Sequence, residues 1–333
     1  MDKKGICVAG NMIVDILYSV QGLPKPGELT TITGMQRATG GALCNVIRDL
    51  AIMDGSLPLT ALGRIGSDSE GDFILETLRS HKNIDLSMIR REGETSFTAV
   101  MADEISKERT FFHYRGANAA FCEDDINWDK IPGALLHIGY ILLLDALDEE
   151  DGEYGTKMAR LLCHARERGI KTSLDVVSEA GDRFRRIVPP ALKYADYCII
   201  NELEAEQITG IKLRDETGAL LSAFIPQALE TIRGFGVTEW AVIHCPEGGY
   251  GLDQKGCYTV SRAVDLPPAA IKGKVGAGDA FCAGTLYAAM QNGSLEDALE
   301  LGNAAAASLM QPGAVEGMMK AEDLMKLRTS FAQ

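Results

Sequence analysis

From Ala42 onward, short apolar runs alternate with stretches of helical periodicity. Leu43, Val46, Ile47, Leu50 and Ala51 follow the i, i+3, i+4, i+7, i+8 spacing that lays one apolar stripe along a helix. Gly55 closes that helix with the residue that best tolerates a left-handed backbone. Leu59–Ile65 follows as a predicted strand. Met158, Leu161, Leu162 and Ala165 repeat the helical spacing up to Gly169, and residues 171–177 are predicted as the next strand. Residues 194–200, 202–210 and Trp240–Cys245 continue as strand, helix and strand. Strands joined by helices of this length imply a parallel sheet covered on both faces. Right-handed crossovers then collect the strand C-termini on one edge, where ligands of such sheets bind.

Two stretches break this rhythm. Residues 13–34 carry Val14, Ile16, Tyr18 and Val20, then Leu29 and Ile32, separated by Leu23-Pro24-Lys25-Pro26-Gly27. Residues 95–114 give runs at 97–102 and Arg109–Tyr114 around a polar turn. Both suit hairpin-like strands but are too isolated to build a core. They are expected to form a small sheet, drawn from segments of about 13–36 and 93–117, projecting over the strand-end edge. No repeat, low-complexity tract or linker divides the chain, so a single α/β domain over residues 1–333 is expected.

Composition narrows the function classes. A formal net charge of −14 disfavours a nucleic-acid partner, because duplex binding needs a positive surface. It leaves phosphate ligands open, since backbone N–H groups and Mg²⁺ hold these without basic side chains. No apolar run has the length of a membrane span, so no membrane association is expected. The start, MDKKGICVAG, lacks the apolar core of a signal peptide. Cys7, Cys44, Cys122, Cys163, Cys198, Cys245, Cys257 and Cys282 are scattered without a C-x-x-C pair. Thiols so placed fit a reducing cytoplasm.

The segment Gly273-Lys274-Val275-Gly276-Ala277-Gly278-Asp279-Ala280-Phe281 puts three small residues ahead of a helical stretch. Glycines allow a tight turn, and the first N–H groups of the helix then point outward as an anion site. A carboxylate in that first turn, Asp279, can take the proton of a substrate hydroxyl. The same residues also suit a plain acidic helix start worth about 1 kcal/mol. Gly40-Gly41-Ala42-Leu43-Cys44-Asn45 opens another helix, with Asn45 one turn in to serve hydroxyls, or is simply a loop-to-helix junction. Gly10-Asn11-Met12-Ile13-Val14-Asp15 sets a carboxylate beside the projecting sheet, where it suits a sugar hydroxyl or a solvated turn. Asn201-Glu202-Leu203-Glu204 is either a helix cap or a phosphate-end site where Glu204 holds Mg²⁺ through water. No G-x-x-x-x-G-K-[ST], no G-x-G-x-x-G after the first strand and no H-E-x-x-H is present.

Taken in order, Gly10…Asp15, Gly40-Gly41…Asn45, Ala61-Leu62-Gly63-Arg64-Ile65-Gly66-Ser67-Asp68…Gly71, Asn201…Glu204 and Gly276-Ala277-Gly278-Asp279 resemble the ribokinase-like (PfkB-type) carbohydrate kinase family. The last segment, extended by Ala280-Phe281 and Gly284, is the family's most specific signature, and the match spans nearly the whole chain. The resemblance implies a three-layer α/β sandwich with a mostly parallel central sheet and a small β-sheet lid. It implies ATP and Mg²⁺ as co-substrates and transfer of the γ-phosphoryl group to a hydroxymethyl group. Asp279 would be the base, and the N–H groups of Gly276, Ala277 and Gly278 the anion hole. Asn11, Asp15, Gly40, Gly41 and Asn45 would line the sugar site, with Asn201 and Glu204 at the phosphate end. The Pro246-Glu247-Gly248-Gly249 turn and Asn303 fall where the family places its nucleotide pocket.

The chain departs from the family at two places. Gly273, Lys274 and Val275 stand where relatives carry an acidic residue and two threonines, so little dependence on a monovalent cation such as K⁺ is expected. Asp175-Val176-Val177-Ser178 replaces a common Asp-Pro-Asn, which leaves the acceptor open among fructose-like, ribose-like and keto-deoxy acid sugars. Arg109, with His113, Tyr114, Arg115 and Asn118, ends the second projecting segment and could read that acceptor, or could be an exposed hairpin edge. A nucleoside kinase and a catalytically silent sugar- or nucleotide-binding regulator are the alternatives. A homodimer paired through the lid edges is a further expectation.

Overall fold

The computed structural model describes residues 5–106, 108–131, 135–179, 181–271, 275–310 and 317–331. Gly273 and Lys274, on which the monovalent-cation expectation rests, lie outside the described residues. In chain order the first elements are β1 (Ile6–Gly10), β2 (Ile13–Val20), β3 (Ile32–Gly40), α1 (Ala42–Met53), β4 (Leu59–Ile65) and α2 (Ser69–Arg79). Next come β5 (Ile84–Arg91), β6 (Phe97–Asp103), β7 (Arg109–Tyr114), β8 (Leu135–Ile141) and a short α3 (Asp145–Asp148). Two-residue strands β9 (Glu150–Asp151) and β10 (Gly155–Thr156) lead to α4 (Lys157–Glu167), β11 (Lys171–Val176), α5 (Phe184–Leu192), β12 (Tyr197–Asn201) and α6 (Glu202–Thr209). The chain ends with α7 (Ile225–Gly234), β13 (Trp240–Cys245), β14 (Gly248–Asp253), β15 (Tyr258–Arg262), α8 (Ala277–Met290), α9 (Leu295–Met310) and α10 (Ala321–Ser330).

Nine strands form one sheet in the order β15-β14-β13-β12-β11-β8-β1-β4-β5. Every pairing from β13 through to β5 is parallel, and only the β13-β14-β15 edge runs antiparallel. Because side chains alternate along a strand, each central strand feeds two cores. Cys7 and Ala9 of β1 join a core with α4 to α7, whereas Ile6 and Val8 join one with α1, α2, α8, α9 and α10. Ala241 and Ile243 of β13 divide from Trp240 and Val242 in the same way. The result is the expected helix–sheet–helix sandwich, each fully buried Leu or Ile contributing about 1.5–3 kcal/mol.

A second sheet of four strands, ordered β3-β2-β6-β7, stands beside this sandwich. Its two halves are hairpin-like, β2 with β3 and β6 with β7, but β2 and β6 join in parallel. Within the main sheet, the strand expected at 194–200 begins at Tyr197, because Asp196 is taken up in capping bonds to Thr172, Lys171 and Thr238. The Gly66-Ser67-Asp68…Gly71 motif acts locally: Asp68 caps α2 through Gly71 N–H (2.9 Å) and also accepts from Thr95 N–H (2.7 Å). That ties the start of α2 to the segment entering β6.

Candidate active site

The N-terminus of α8 has no side-chain cap. Gly276 precedes it at φ 78°, a left-handed turn that a Cβ would strain. The first bond of the helix runs from Ala280 N–H to the Gly276 carbonyl (2.9 Å). The N–H groups of Ala277, Gly278 and Asp279 come before it and have no partner within the helix, so the positive end of the helix dipole faces outward there. Gly278 packs against His244, where an added Cβ would come within 3.1 Å of the ring.

Asp279 sits in that turn and is 5% exposed. Its Oδ2 accepts from Asn45 Nδ2 (2.8 Å) and from the Tyr140 hydroxyl (3.2 Å). Burial pushes its carboxyl up to about 6; the bonds from Asn45 and Tyr140 act in the opposite direction, and Asp15 adds to the rise. Asp15, in β2, is also pushed up to about 6 by burial, against a hydrogen bond from Thr98. Thr98 Oγ1 in turn lies 3.0 Å from His113 Nδ1, so β2, β6 and β7 present one polar row at this level.

The glycine pair makes room for these groups. A Cβ on Gly40 would stand 2.1 Å from Asp15 Oδ2, so the carboxylate can lie against β3 only if that residue is glycine. Gly41 takes φ 86°, and a Cβ there would meet the Asn11 carbonyl at 2.5 Å and its Oδ1 at 2.8 Å. Asn11 is completely buried, yet neither its Nδ2 nor its Oδ1 has a hydrogen-bond partner among the described residues. Each such unmet group costs about 1–3 kcal/mol, a demand that a hydroxylated ligand or ordered water would satisfy.

The opposite end is arranged differently. Asn201 Oδ1 accepts from Glu204 N–H (2.8 Å) and Glu204 Oε2 accepts from Asn201 N–H (2.9 Å), a complete capping box for α6. Ser178 donates to Glu204 Oε1 (2.7 Å) and receives Asn201 Nδ2 (2.9 Å). Glu204 is nonetheless pushed up to about 7, chiefly by burial, with Asp279 and Glu202 adding to it. Asp175, 7% exposed at the end of β11, is held well above the usual range by burial and then by Glu204 and Asp279. Among the described residues no group of three or more His, Cys, Asp or Glu is set to hold a metal. A buried carboxylate pair with uncompensated charge does fit Mg²⁺ held mainly by phosphate oxygens and water.

The structure places the remaining expected positions as follows. Gly248 and Gly249 lie within β14, so the turn shortens to Pro246-Glu247. Gly249 gives space to the Phe281 ring, 2.8 Å from where its Cβ would be, and so serves packing of α8. Asn303 uses its Nδ2 on Ser261 O (2.9 Å), Ser261 Oγ (3.0 Å) and Arg262 O (3.2 Å), tying α9 to β15. Arg109 is exposed and pairs with Ala102 at the far end of the small sheet. Asp15 is level with Thr98 and His113, a four-residue step from Arg109, or about 13 Å along a strand. Asn118 closes on the Met12 backbone in both directions, and Arg115 donates to the Leu142 carbonyl (2.7 Å). Sequence reasoning passed over Tyr140 and Thr98, and named Asp175 only as the start of a segment that departs from the family. The signal for Tyr140 was a lone polar-tipped aromatic after Gly139 at the end of an apolar strand.

Comparison with known proteins agrees with this architecture. Residues 3–320 match the pfkB family carbohydrate kinase model. The chain therefore belongs to the pfkB family of carbohydrate kinases, which are phosphotransferases. An ATP-dependent ribose-1-phosphate kinase from Halopiger xanaduensis is 27% identical over 304 residues, covering 90% of this chain and 89% of that one. The structure of Arabidopsis thaliana ribokinase complexed with ribose and ATP superposes with a TM-score of 0.79 at 22% identity, covering 97% of this chain and 98% of the other. A nucleoside kinase from Methanocaldococcus jannaschii superposes with a TM-score of 0.76 at 16% identity, covering 98% of each chain. These two structures are similar in fold.

Proposed function

We propose that the protein transfers the γ-phosphoryl group of ATP to a hydroxymethyl group of a small carbohydrate, with Asp279 as the general base. The observation that carries this reading is the buried Asp279 carboxylate at an uncapped helix N-terminus, held by Asn45 and Tyr140 and within the field of Asp15. The acceptor hydroxyl donates to Asp279, which takes its proton as the oxygen attacks the γ-phosphorus and the bond from that phosphorus to the bridging oxygen breaks, releasing ADP. Charge growing on the transferred group is met by the N–H groups of Gly276, Ala277 and Gly278, each such donor being worth about 2.7–4 kcal/mol in a water-excluded site. Asn11, Asp15, Gly40, Gly41 and Asn45 form the acceptor side. Glu204, oriented by Asn201, would hold Mg²⁺ through water. The ion would neutralise phosphate charge.

The small sheet serves as a lid that excludes water, a competing acceptor. Its outer strands expose Ile32, Met35, Phe111 and Phe112, which suits pairing with a second copy; sedimentation showing only monomer would remove that assignment. All eight cysteines are free thiols, consistent with a cytoplasmic setting.

ADP release coupled to a panel of sugars, sugar phosphates, sugar acids and nucleosides tests the function. Ribose and ribose 1-phosphate head the panel, as the acceptors named for its relatives. Release driven by a carbohydrate supports the reading, and release driven only by nucleosides moves the chain to a nucleoside kinase. No release with any acceptor would leave a silent binding protein, against which the Asn45–Asp279–Tyr140 contacts argue.

A further inference from the structure

Asp279 is approached by two donors from different elements, Asn45 on α1 and Tyr140 at the end of β8. Both bind the same oxygen, Oδ2, and no bond to Oδ1 is made among the described residues. A carboxylate held in this way cannot rotate freely about its terminal bond, because turning it would break two hydrogen bonds. One oxygen is thus fixed and the other is kept open. Tyr140 reaches this position at φ 61°, a left-handed backbone that strains a side-chain-bearing residue and persists only where its surroundings enforce it.

We infer that Tyr140 is a positioning residue: with Asn45 it holds Oδ2 of Asp279, so that Oδ1 is the atom presented to the acceptor hydroxyl, and it keeps the carboxylate ionised. The inference rests on Asp279 acting as the base. Burial and the Asp15 carboxylate on β2 oppose ionisation of Asp279. Asp49 and Cys44 on α1, Asp175 on β11, Glu204 on α6 and Cys282 on α8 also lie within its field and are themselves raised by the Asp279 charge, the two thiols staying neutral. Arg48 offsets part of this at Asp49 and Cys44. In that field a neutral hydroxyl donating to Oδ2 favours the charged form without adding charge. Tyr140 itself remains protonated, since burial and then Asp279 hold its phenol well above the ordinary value.

The test is Tyr140→Phe, which keeps the ring and removes only the donor. Isotope-edited infrared titration of the aspartate carboxyls, assigned by subtraction of Asp279→Asn, reads the base directly and needs no turnover. The Asp279 titration is expected to move to higher pH by about one unit. In the kinase assay, kcat falls about tenfold, the range of a hydrogen bond to a charged group, while KM for ATP is unchanged. Fluorinated tyrosine at position 140, a stronger donor, should move the titration to lower pH, a response that a packing role does not give. An unmoved Asp279 titration in both variants would overturn the inference even if the kinase reading stands. A moved titration in a protein without phosphotransfer would uphold the contact and fail the function.

Discussion

The two ends of the candidate site satisfy their polar groups in opposite ways. At the end proposed for the nucleotide, Asn201, Glu204 and Ser178 bond to one another, and Asn303 spends its amide on β15. At the end proposed for the acceptor, the Asn11 side-chain amide is buried without a partner among the described residues, and Asp15 and Asp279 are both raised to about 6 by burial. The first end completes its side-chain hydrogen bonds, although Glu204 and Asp175 there are also raised by burial. The other holds a polar demand that only a ligand or water meets, and that demand is what points to chemistry there.

The largest effect that would break this contrast is at Asp279. Asp279→Asn should lower kcat about a thousandfold, the scale of general base catalysis, with ATP affinity retained by equilibrium binding. Its folded value lies above the unfolded one, so the stability linked to it is present below about pH 4 and lost as pH rises through about 6. The variant should therefore melt higher than the wild type at pH 8, by up to about 3 kcal/mol. Asn11→Leu comes next. Acceptor KM should rise about tenfold while the melting temperature rises, because a buried unmet amide is removed. A lower melting temperature would mean that bound water already completes Asn11.

Smaller effects belong to the nucleotide end. Glu204→Ala should cost about 1 kcal/mol through the lost capping box, whereas Glu204→Gln keeps the box and should show only a higher Mg²⁺ requirement in a titration of activity. Equal Mg²⁺ dependence in wild type and Glu204→Gln would remove Glu204 from the metal assignment. Asn303→Ala should lose about 1 kcal/mol by denaturant melting and leave KM for ATP unchanged. A marked rise in that KM would restore Asn303 to the nucleotide pocket.

Much of the frame was legible in the residues. Leu59–Ile65 and Trp240–Cys245 match their predicted bounds, because apolar runs of that length between turn signals have few alternatives. The glycines at 40, 41 and 276 stood out because glycines that open a helix mark a tight turn or a close approach, and the structure places Asp15 and Asn11 against the first two and a left-handed turn at the third. Arg109 misled because its height depends on how β2, β6 and β7 pair, and register between distant segments leaves no local mark. Gly249 misled because a glycine making room for Phe281 looks the same in sequence as a glycine in a loop. Tyr140 was missed because its role arises only when β8 and α8 meet.

The most direct test is the pH dependence of kcat/KM for the acceptor under saturating MgATP. With Asp15 and Asp279 both titrating at about 6, activity should fall below that pH, more steeply than one ionisation allows, and level off above it. A profile that stays flat from well below that pH to well above it would contradict a buried carboxylate base at Asp279.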